Sequence, residues 1–152
     1  VVRSRRRPVA DVDYGFVGDV ERVDADRLAM LVRSGVTPVM APLTHDGRGC
    51  LLNTNADTIA GEVARALAPL FDVTLVYCFE HAGVLADPGR EDSVIPRIDR
   101  ATFEALREAG TVGGGMLPKL ENCLAAVEAG VARVVITRAD ALAPGRGTEI
   151  VA

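Results

Sequence analysis

The segment Val73–Cys78 reads Val-Thr-Leu-Val-Tyr-Cys and is apolar or β-branched at almost every position. Such a run is typical of a strand that is buried on both faces, as in a parallel sheet covered by helices. Similar runs at Val36–Leu43 and Arg133–Thr137, and a shorter one at Thr148–Val151, are predicted to be further strands. The chain therefore has enough strand-forming segments for a buried sheet.

Helices are predicted between these strands from their capping residues and from the glycines that follow them. The four segments begin at or just after Asp24, Asp57, Asp99 and Leu117, and they end near Gly35, Leu67, Gly110 and Ala129. Because strands and helices alternate along the chain, we expect an α/β fold with a mostly parallel sheet.

The composition argues against several classes of protein. With 152 residues, 49% of them apolar, the chain can bury the core of one ordinary domain. A net charge of −4 argues against a protein that binds nucleic acid or an anionic membrane. No apolar run approaches the roughly 18 to 20 residues that a membrane helix needs. Three cysteines without a CxxC spacing argue against a disulfide framework and favour a reducing cytoplasm.

The first residues of the chain differ from the rest. Arg3 and Arg5–Arg7 form a basic run, and Asp13-Tyr14-Gly15 followed by Gly18 is typical of a β-hairpin. On an acidic chain, a solvated hairpin edge is favoured over a nucleic-acid site. Because the sequence begins with Val1 rather than methionine, we expect it to be a downstream piece of a longer protein.

The glycine-rich segment Thr111–Lys119 predicts an anion-binding site. Three consecutive glycines before a helix let backbone N–H groups approach a ligand, and the helix N-terminus adds about half a positive charge. Lys119 is the only lysine among 17 cationic residues, and its ammonium group is suited to phosphate oxygens. Pro118 and Leu120 exclude a Walker A loop. A flexible loop with an exposed lysine is the alternative.

A second polar cluster, Asn53–Asp57, contains two amides and a carboxylate at the start of a predicted helix. One of these side chains is enough to cap the helix, so the others are available to bind a polar substrate. Asp57 could also hold a nearby lysine. His45 and His81 have no partners at metal-ligand spacing, so no metal site is predicted.

Together these segments resemble the amino acid kinase family. The matching motifs are Asn53–Asp57, Glu80–Leu85, Gly110–Lys119 and Gly147-Thr148, in the order seen in that family. The resemblance implies a three-layer αβα sandwich with a mainly parallel central sheet, of which this chain is the C-terminal, nucleotide-binding half. It also implies phosphorylation of the side-chain carboxylate of N-acetylglutamate, or another N-acylglutamate, in arginine biosynthesis, with ATP and Mg2+ as cofactors.

The resemblance implies a role for each matching residue. Lys119 would stabilise charge on the transferring phosphoryl group, Asp57 would organise catalytic lysines, and Asn53 and Asn55 would bind the acylglutamate. The nucleotide site would be lined by Glu80, His81, Ala82, Gly83, Val84, Leu85, Thr111, Val112, Gly113, Gly114 and Gly115. The N-terminal half of the family, with its own glycine-rich loop and a second catalytic lysine, has no counterpart in this sequence.

The same resemblance divides the chain into two parts. Residues 1–22 would be a β-hairpin and edge segment from the missing upstream half, and residues 23–152 an ATP-binding α/β domain. The expected partners are the N-acylglutamate substrate, the missing N-terminal half and further copies in a homo-oligomer, all in the cytoplasm. Two alternatives stay open: a non-catalytic nucleotide-binding or assembly module derived from the kinase fold, and an amino acid kinase that acts on a different acid, such as carbamate or aspartate.

Overall fold

In the computed structural model, which describes residues 1–143 and 145–152, strands and helices form two compact units, Val1–Leu70 and Phe71–Ala152. The first unit contains the strands β1 (Val2–Arg6), β2 (Gly18–Val23), β3 (Leu43–His45) and β4 (Leu51–Asn53), and the helices α1 (Ala25–Arg33) and α2 (Ala56–Leu67). The second contains the strands β5 (Thr74–Phe79), β6 (Arg97–Ile98), β7 (Arg133–Arg138) and β8 (Thr148–Ile150), and the helices α3 (Arg100–Glu108) and α4 (Met116–Glu128).

The sheet of the unit Val1–Leu70 has the strand order β2-β1-β3-β4. β1 pairs antiparallel with β2 and parallel with β3, and β3 pairs antiparallel with β4. Both helices begin at a side-chain cap, because Asp24 accepts a hydrogen bond at the start of α1 and Asn55 does so at the start of α2. Leu28, Leu52 and Ile59 are buried in the core of this unit.

The sheet of the unit Phe71–Ala152 has the strand order β5-β7-β8-β6. β5 and β7 pair in parallel from Thr74↔Arg133 to Phe79↔Arg138, so their carboxyl ends lie at the same edge. β8 pairs antiparallel with β7 and parallel with β6. Asp99 caps α3, and the side chains of Phe103 and Leu120 are completely buried.

The α/β class and the four helices predicted from the sequence are confirmed. The caps Asp24 and Asp99 agree with the structure, and so do the glycines at the helix ends, since Gly35, Gly110 and Gly130 each have a positive φ just after a helix. The hairpin of β1 and β2 and the strands β7 and β8 are also confirmed. The sheet of the unit Phe71–Ala152 is mainly parallel, as expected, because two of its three strand pairs are parallel, whereas in the sheet of the unit Val1–Leu70 only β1 and β3 pair in parallel.

Two strand predictions are wrong in detail. The predicted strand Val36–Leu43 is irregular up to residue 42, and only Leu43 belongs to β3. Pro38 and Pro42 remove two backbone donors from that segment, which disfavours a ladder there. β5 is not buried on both faces, because its buried and exposed residues alternate as in a strand with one covered face.

The boundary between the two compact units follows Leu70. β1 is the reason, because it pairs with β2 on one side and with β3 on the other and so joins the first residues to the rest of its unit. The assignment of residues 1–22 to a missing half, and of residues 23–152 to an ATP-binding domain, stays a prediction. No helix in the described part of the chain is both long and apolar enough to cross a membrane.

Candidate functional site

A cavity of about 160 Å3 in the unit Phe71–Ala152 lies between the loop after β5 and the glycine-rich segment before α4. Its lining residues are His81, Gly83, Val84, Leu85, Pro88, Thr111, Val112, Gly113 and Met116. Two predicted segments that are far apart in sequence therefore line one cavity. Four residues predicted to line the nucleotide site do not line this cavity: Glu80, Ala82, Gly114 and Gly115. Two residues that were not predicted do line it, Pro88 and Met116.

The position of this cavity follows from the sheet. β5 ends at Phe79, and the loop Glu80–Leu85 continues directly from its carboxyl end. In open α/β sheets, ligands bind outside the carboxyl ends of parallel strands, because the loops there converge and leave backbone groups accessible. The loop after β5 is therefore at a position where α/β proteins commonly bind ligands.

The side chain of Thr148 fixes the loop that lines the cavity. Its Oγ1 accepts a hydrogen bond from the Val84 N–H at 2.8 Å and donates one to the Ile95 carbonyl at 2.7 Å. The Ile95 N–H in turn donates to the Val84 carbonyl at 2.8 Å. Thr148 is completely buried, so water does not compete for these bonds. The sequence motif Gly147-Thr148 was recognised, but this positioning role was not.

Two glycines allow the close packing around Thr148. A Cβ atom on Gly83 would lie 2.6 Å from a methyl carbon of Val94 and 2.7 Å from the Thr148 hydroxyl. A Cβ atom on Gly147 would lie 2.4 Å from the Ile136 carbonyl oxygen, and Gly147 has a φ of +88°. Neither position accepts a side chain without movement of its neighbours.

The N-terminus of α4 supplies the positive end of a helix dipole to this region. Gly115 is the N-cap residue and makes no side-chain capping hydrogen bond, and no acidic residue lies in the first turn. A Cβ atom on Gly113, Gly114 or Gly115 would meet nothing within 4 Å, so open space adjoins the backbone of all three glycines. An uncapped helix N-terminus beside open space has the character of an anion-binding site.

Lys119 lies in the same unit, one turn into α4. Its Nζ atom is 3.6 Å from the centroid of the Phe79 ring, and this ring stacks on Tyr77 with the centroids 6.0 Å apart. The ammonium group therefore lies over the last residue of β5, where the loop Glu80–Leu85 begins. The predicted phosphate-binding lysine and the loop after β5 are thus neighbours.

Side-chain contacts with carboxylates fix other parts of this edge. His81 Nδ1 lies 2.7 Å from a carboxylate oxygen of Glu91, which links the cavity to the turn that follows it. At the end of β7, Arg138 donates a hydrogen bond of 2.6 Å to Asp140. This hydrogen bond lowers the pKa of the Asp140 carboxyl, so the group is ionised at neutral pH.

The residues predicted to bind the substrate lie together in the unit Val1–Leu70, at the start of α2. Asn53 is the last residue of β4 and is exposed, and its backbone N–H donates to the Phe16 carbonyl at 2.8 Å. Asn55 caps the helix, because its Oδ1 accepts from the Thr58 N–H at 3.0 Å. Asp57 lies half-buried in the first turn of α2. One amide is therefore used as a cap, as the sequence suggested, while Asn53 presents an exposed side chain.

No group of three or more His, Cys, Asp or Glu side chains within residues 1–143 and 145–152 is placed to hold a metal ion. A Mg2+ ion in phosphoryl transfer needs no such cage, because it keeps several waters and is held largely by substrate phosphates. The open space beside the uncapped N-terminus of α4 and Lys119 suits the phosphates of a nucleotide.

Solved structures share this fold. The smu.665 protein of Streptococcus mutans UA159 superimposes with a TM-score of 0.79 at 31% identity, over 99% of this chain and 56% of that chain. The N-acetylglutamate synthase of Neisseria gonorrhoeae, complexed with coenzyme A and N-acetyl-glutamate, superimposes with a TM-score of 0.82 at 24% identity, over 99% of this chain and 36% of that chain. The expected class of fold is confirmed.

Sequence comparison identifies the family. Residues 2–138 match the amino acid kinase family. The chain is 64% identical over 150 residues to the acetylglutamate kinase of Bacteroides thetaiotaomicron, and the match covers 99% of this chain and 58% of that protein. The chain belongs to the amino acid kinase family, as its motifs indicated, and it spans about 58% of the length of this relative.

Proposed function

We propose that this chain is the nucleotide-binding part of a kinase that transfers the γ-phosphoryl group of ATP to the side-chain carboxylate of N-acetylglutamate, in arginine biosynthesis. The observation that carries the proposal is the 64% identity to an acetylglutamate kinase over nearly the whole chain. The cavity between the loop after β5 and the start of α4 supports it, because this cavity is lined by both segments that the family resemblance assigns to the nucleotide site.

The reaction needs alignment more than acid–base catalysis. A carboxylate oxygen of the substrate attacks the γ-phosphorus, the bond from that phosphorus to the bridging oxygen of ADP breaks, and an acyl phosphate and ADP are formed. The carboxylate is already ionised at neutral pH, so no general base is required. The protein must hold the two reactants in line and stabilise negative charge that spreads over the phosphoryl oxygens.

In this scheme, the phosphates lie against the N-terminus of α4 and the Lys119 ammonium group. The backbone of Gly113–Gly115 permits their close approach, because open space adjoins these glycines. The cation–π contact of Lys119 with Phe79 is of a kind that contributes about 0.5–1 kcal/mol at an exposed site. Charge-assisted hydrogen bonds to a phosphate are stronger, at about 1.5–3 kcal/mol.

The cavity takes one part of the nucleotide rather than all of it. Its volume of about 160 Å3 is smaller than the roughly 300–1,000 Å3 of cavities that enclose a drug-sized ligand. Its apolar lining of Val84, Leu85, Val112 and Met116 suits a base, and the glycines beside it suit phosphates. When bound, Mg2+ would neutralise charge on the phosphate oxygens.

For the substrate, we propose that Asn53 donates or accepts hydrogen bonds to the N-acylglutamate. Asn55 would support it by fixing the start of α2, since its side chain is engaged as the cap. Asp57 would orient catalytic lysines. Because Lys119 is the only lysine in the sequence, a second one would come from the rest of the kinase. We expect the complete enzyme to be a cytoplasmic homo-oligomer.

A calorimetric titration of the chain with MgADP tests the nucleotide part of the proposal. We expect saturable binding by the parent chain and binding weakened about tenfold or more in Lys119→Met, the loss of one charge-assisted hydrogen bond. Lys119→Arg is the matched control, because it keeps the charge and should retain part of the affinity. Equal affinity in the parent and in Lys119→Met would show that this lysine does not bind phosphate.

A second experiment separates a kinase from a non-catalytic module. The chain is fused to the part of the Bacteroides thetaiotaomicron relative that lies outside the matched 150 residues, and the acyl phosphate is trapped with hydroxylamine. Formation of the hydroxamate from N-acetylglutamate, but not from carbamate or aspartate, supports the proposal. MgADP binding without any turnover would favour the non-catalytic alternative, and turnover with aspartate alone would refute the proposed substrate.

A further inference from the structure

Three basic side chains stand in a row across the sheet of the unit Val1–Leu70. Arg3 on β1 is the Cα partner of Arg22 on β2 and of His45 on β3. Directly opposed residues of neighbouring strands point to the same face of a sheet, so these three side chains share one face. They line an open cavity of about 230 Å3 together with Val1, Asp24 and Arg27.

A β-bulge between β1 and β2 produces this row. The ladder pairs Ser4 with Val20 but Arg3 with Arg22, so Glu21 has no direct partner. If the register of Ser4 continued unchanged, Arg3 would face Glu21. Opposite charges in directly opposed positions stabilise a sheet, and like charges destabilise it. The observed register therefore places two like charges directly opposite each other, and bulges that redirect side chains are frequent beside functional sites.

The guanidinium groups at this cavity also lack direct hydrogen bonds to carboxylates. Elsewhere in the chain, arginines reach carboxylate oxygens at distances such as 2.7 and 2.8 Å. Arg3 lies 3.6 Å from Glu21, and Arg27 lies 3.6 Å from Asp24, which is too far for a hydrogen bond. Arg22 has no ion pair with any residue that the structure describes. Three guanidinium forks thus adjoin only two carboxylates, and neither is bonded to them.

His45 adds a further donor to the cavity. The Gly47 N–H donates to His45 Nδ1 at 3.1 Å, so in the uncharged ring the proton is on Nε2, which can donate to a ligand. His45 lines the cavity beside Arg3. The donors that line this cavity therefore come from β1, β2, β3 and the first turn of α1.

We propose that Arg3, Arg22, Arg27 and His45 form a binding site for a small anion with a phosphate or carboxylate group. The planar guanidinium fork matches both oxyanions and binds them through paired N–H groups. A volume of about 230 Å3 is below the roughly 300–1,000 Å3 of cavities for drug-sized ligands, so the site suits an ion as small as inorganic phosphate or citrate. Such an anion offsets the repulsion between Arg3 and Arg22.

The test is a titration of the chain with sodium phosphate and, separately, with sodium citrate, at an ionic strength held constant with chloride. The readout is the ring C–H signals in NMR spectra, because the chain has only two histidines. His45 lines this cavity and His81 lines the cavity of the other unit. A shift of the His45 signals therefore reports binding here, and a shift of the His81 signals reports binding at the proposed nucleotide site. We expect a saturable shift of the His45 signals, and the ion that saturates at the lower concentration identifies the oxyanion.

Matched variants make the test specific. Arg22→Gln and Arg27→Gln should each weaken binding by about two- to fivefold, the effect of one exposed ion pair. Arg5→Gln removes the same charge from β1 outside the cavity and should leave the affinity unchanged. Without phosphate or citrate, Arg22→Gln should unfold at a temperature no lower than the parent, because it removes a like-charge contact.

Three results would overturn the proposal. The first is no saturable shift of the His45 signals in either titration. The second is equal weakening of binding by Arg5→Gln and Arg22→Gln, which would indicate attraction by net charge alone. The third is an unfolding temperature of Arg22→Gln clearly below that of the parent in chloride, which would show that Arg22 stabilises the sheet without an anion.

Discussion

Replacement of Thr148 by valine removes the hydroxyl that joins the cavity loop to the last strand of its sheet. The Thr148 Oγ1 accepts from the Val84 N–H at 2.8 Å and donates to the Ile95 carbonyl at 2.7 Å, and the residue is completely buried. Valine has nearly the same shape and makes neither bond. The variant therefore tests the two hydrogen bonds with little change in packing.

The expected loss of stability follows from the two backbone groups that lose their partner, the Val84 N–H and the Ile95 carbonyl. A buried donor or acceptor that loses its partner costs about 1–3 kcal/mol, so the two groups together should cost about 2–6 kcal/mol in the free energy of unfolding. For a chain of this length, each kcal/mol lowers the unfolding temperature by about 2–4 °C, so a decrease on the order of 10 °C is expected. Thr148→Ser keeps the hydroxyl and loses one methyl group, which should cost only about 1 kcal/mol.

The assay is unfolding by heat and by urea, followed by far-UV circular dichroism, for the parent and both variants. The expected order of stability is parent, then Thr148→Ser, then Thr148→Val. MgADP affinity is measured in the same samples below the transition, and it should fall in Thr148→Val because the loop Gly83–Leu85 lines the cavity. If Thr148→Val were as stable as Thr148→Ser, the hydroxyl would not hold the loop, and the reasoning would be refuted.

Two further variants test local features of the same unit. Gly147→Ala places a Cβ atom 2.4 Å from a carbonyl oxygen at a φ of +88°. Urea unfolding should therefore show that the free energy of unfolding falls by roughly 2 kcal/mol or more. Gly113→Ala is the control and should change this free energy far less, because open space adjoins the backbone there. The hydrogen bond from the Thr102 N–H lowers the pKa of Asp99 below its ordinary value of 3.8, so the stabilisation from this cap is present above pH 3.8 and is lost as the pH falls through the pKa of the folded state. The parent should therefore have a larger free energy of unfolding than Asp99→Asn at pH 7. Urea unfolding at decreasing pH should show this difference in free energy vanish below pH 3.8, as the Asp99 carboxyl becomes protonated. A difference that stayed constant with pH would contradict the role of the ionised Asp99 as the cap.

The ends of the helices could be predicted from the sequence because capping residues and glycines act on the backbone next to them. The caps Asp24 and Asp99, and glycines such as Gly35, fix helix ends through hydrogen bonds and φ values that depend on few neighbours. The irregular segment after Gly35 shows the limit, since an apolar run becomes a strand only where another strand pairs with it. Short strands such as β4 and β6 carry too few residues for a periodic pattern.

Only part of the candidate site could be predicted from the sequence. The composition predicted the glycine-rich segment and the family resemblance predicted the loop after β5; residues of both line one cavity, and their role in binding a nucleotide stays a prediction. Thr148 was not assigned a role, because its partners Val84 and Ile95 are distant in sequence and bond through backbone groups. The row of Arg22, Arg3 and His45 was also missed, because it depends on a bulge whose register no single strand reveals.

The stack of Tyr77 and Phe79 beneath the Lys119 ammonium group has an optical consequence. The chain contains no tryptophan and only two tyrosines, of which Tyr14 is 60% exposed and Tyr77 only 6% exposed. A buried, stacked phenol with a cation close to its neighbouring ring gives a strong near-ultraviolet dichroism signal that is sensitive to local charge. An anion that draws Lys119 away from Phe79 would therefore change the near-ultraviolet circular dichroism of Tyr77. Binding of an anion beside Lys119 could then be followed in this spectrum without a label on the chain.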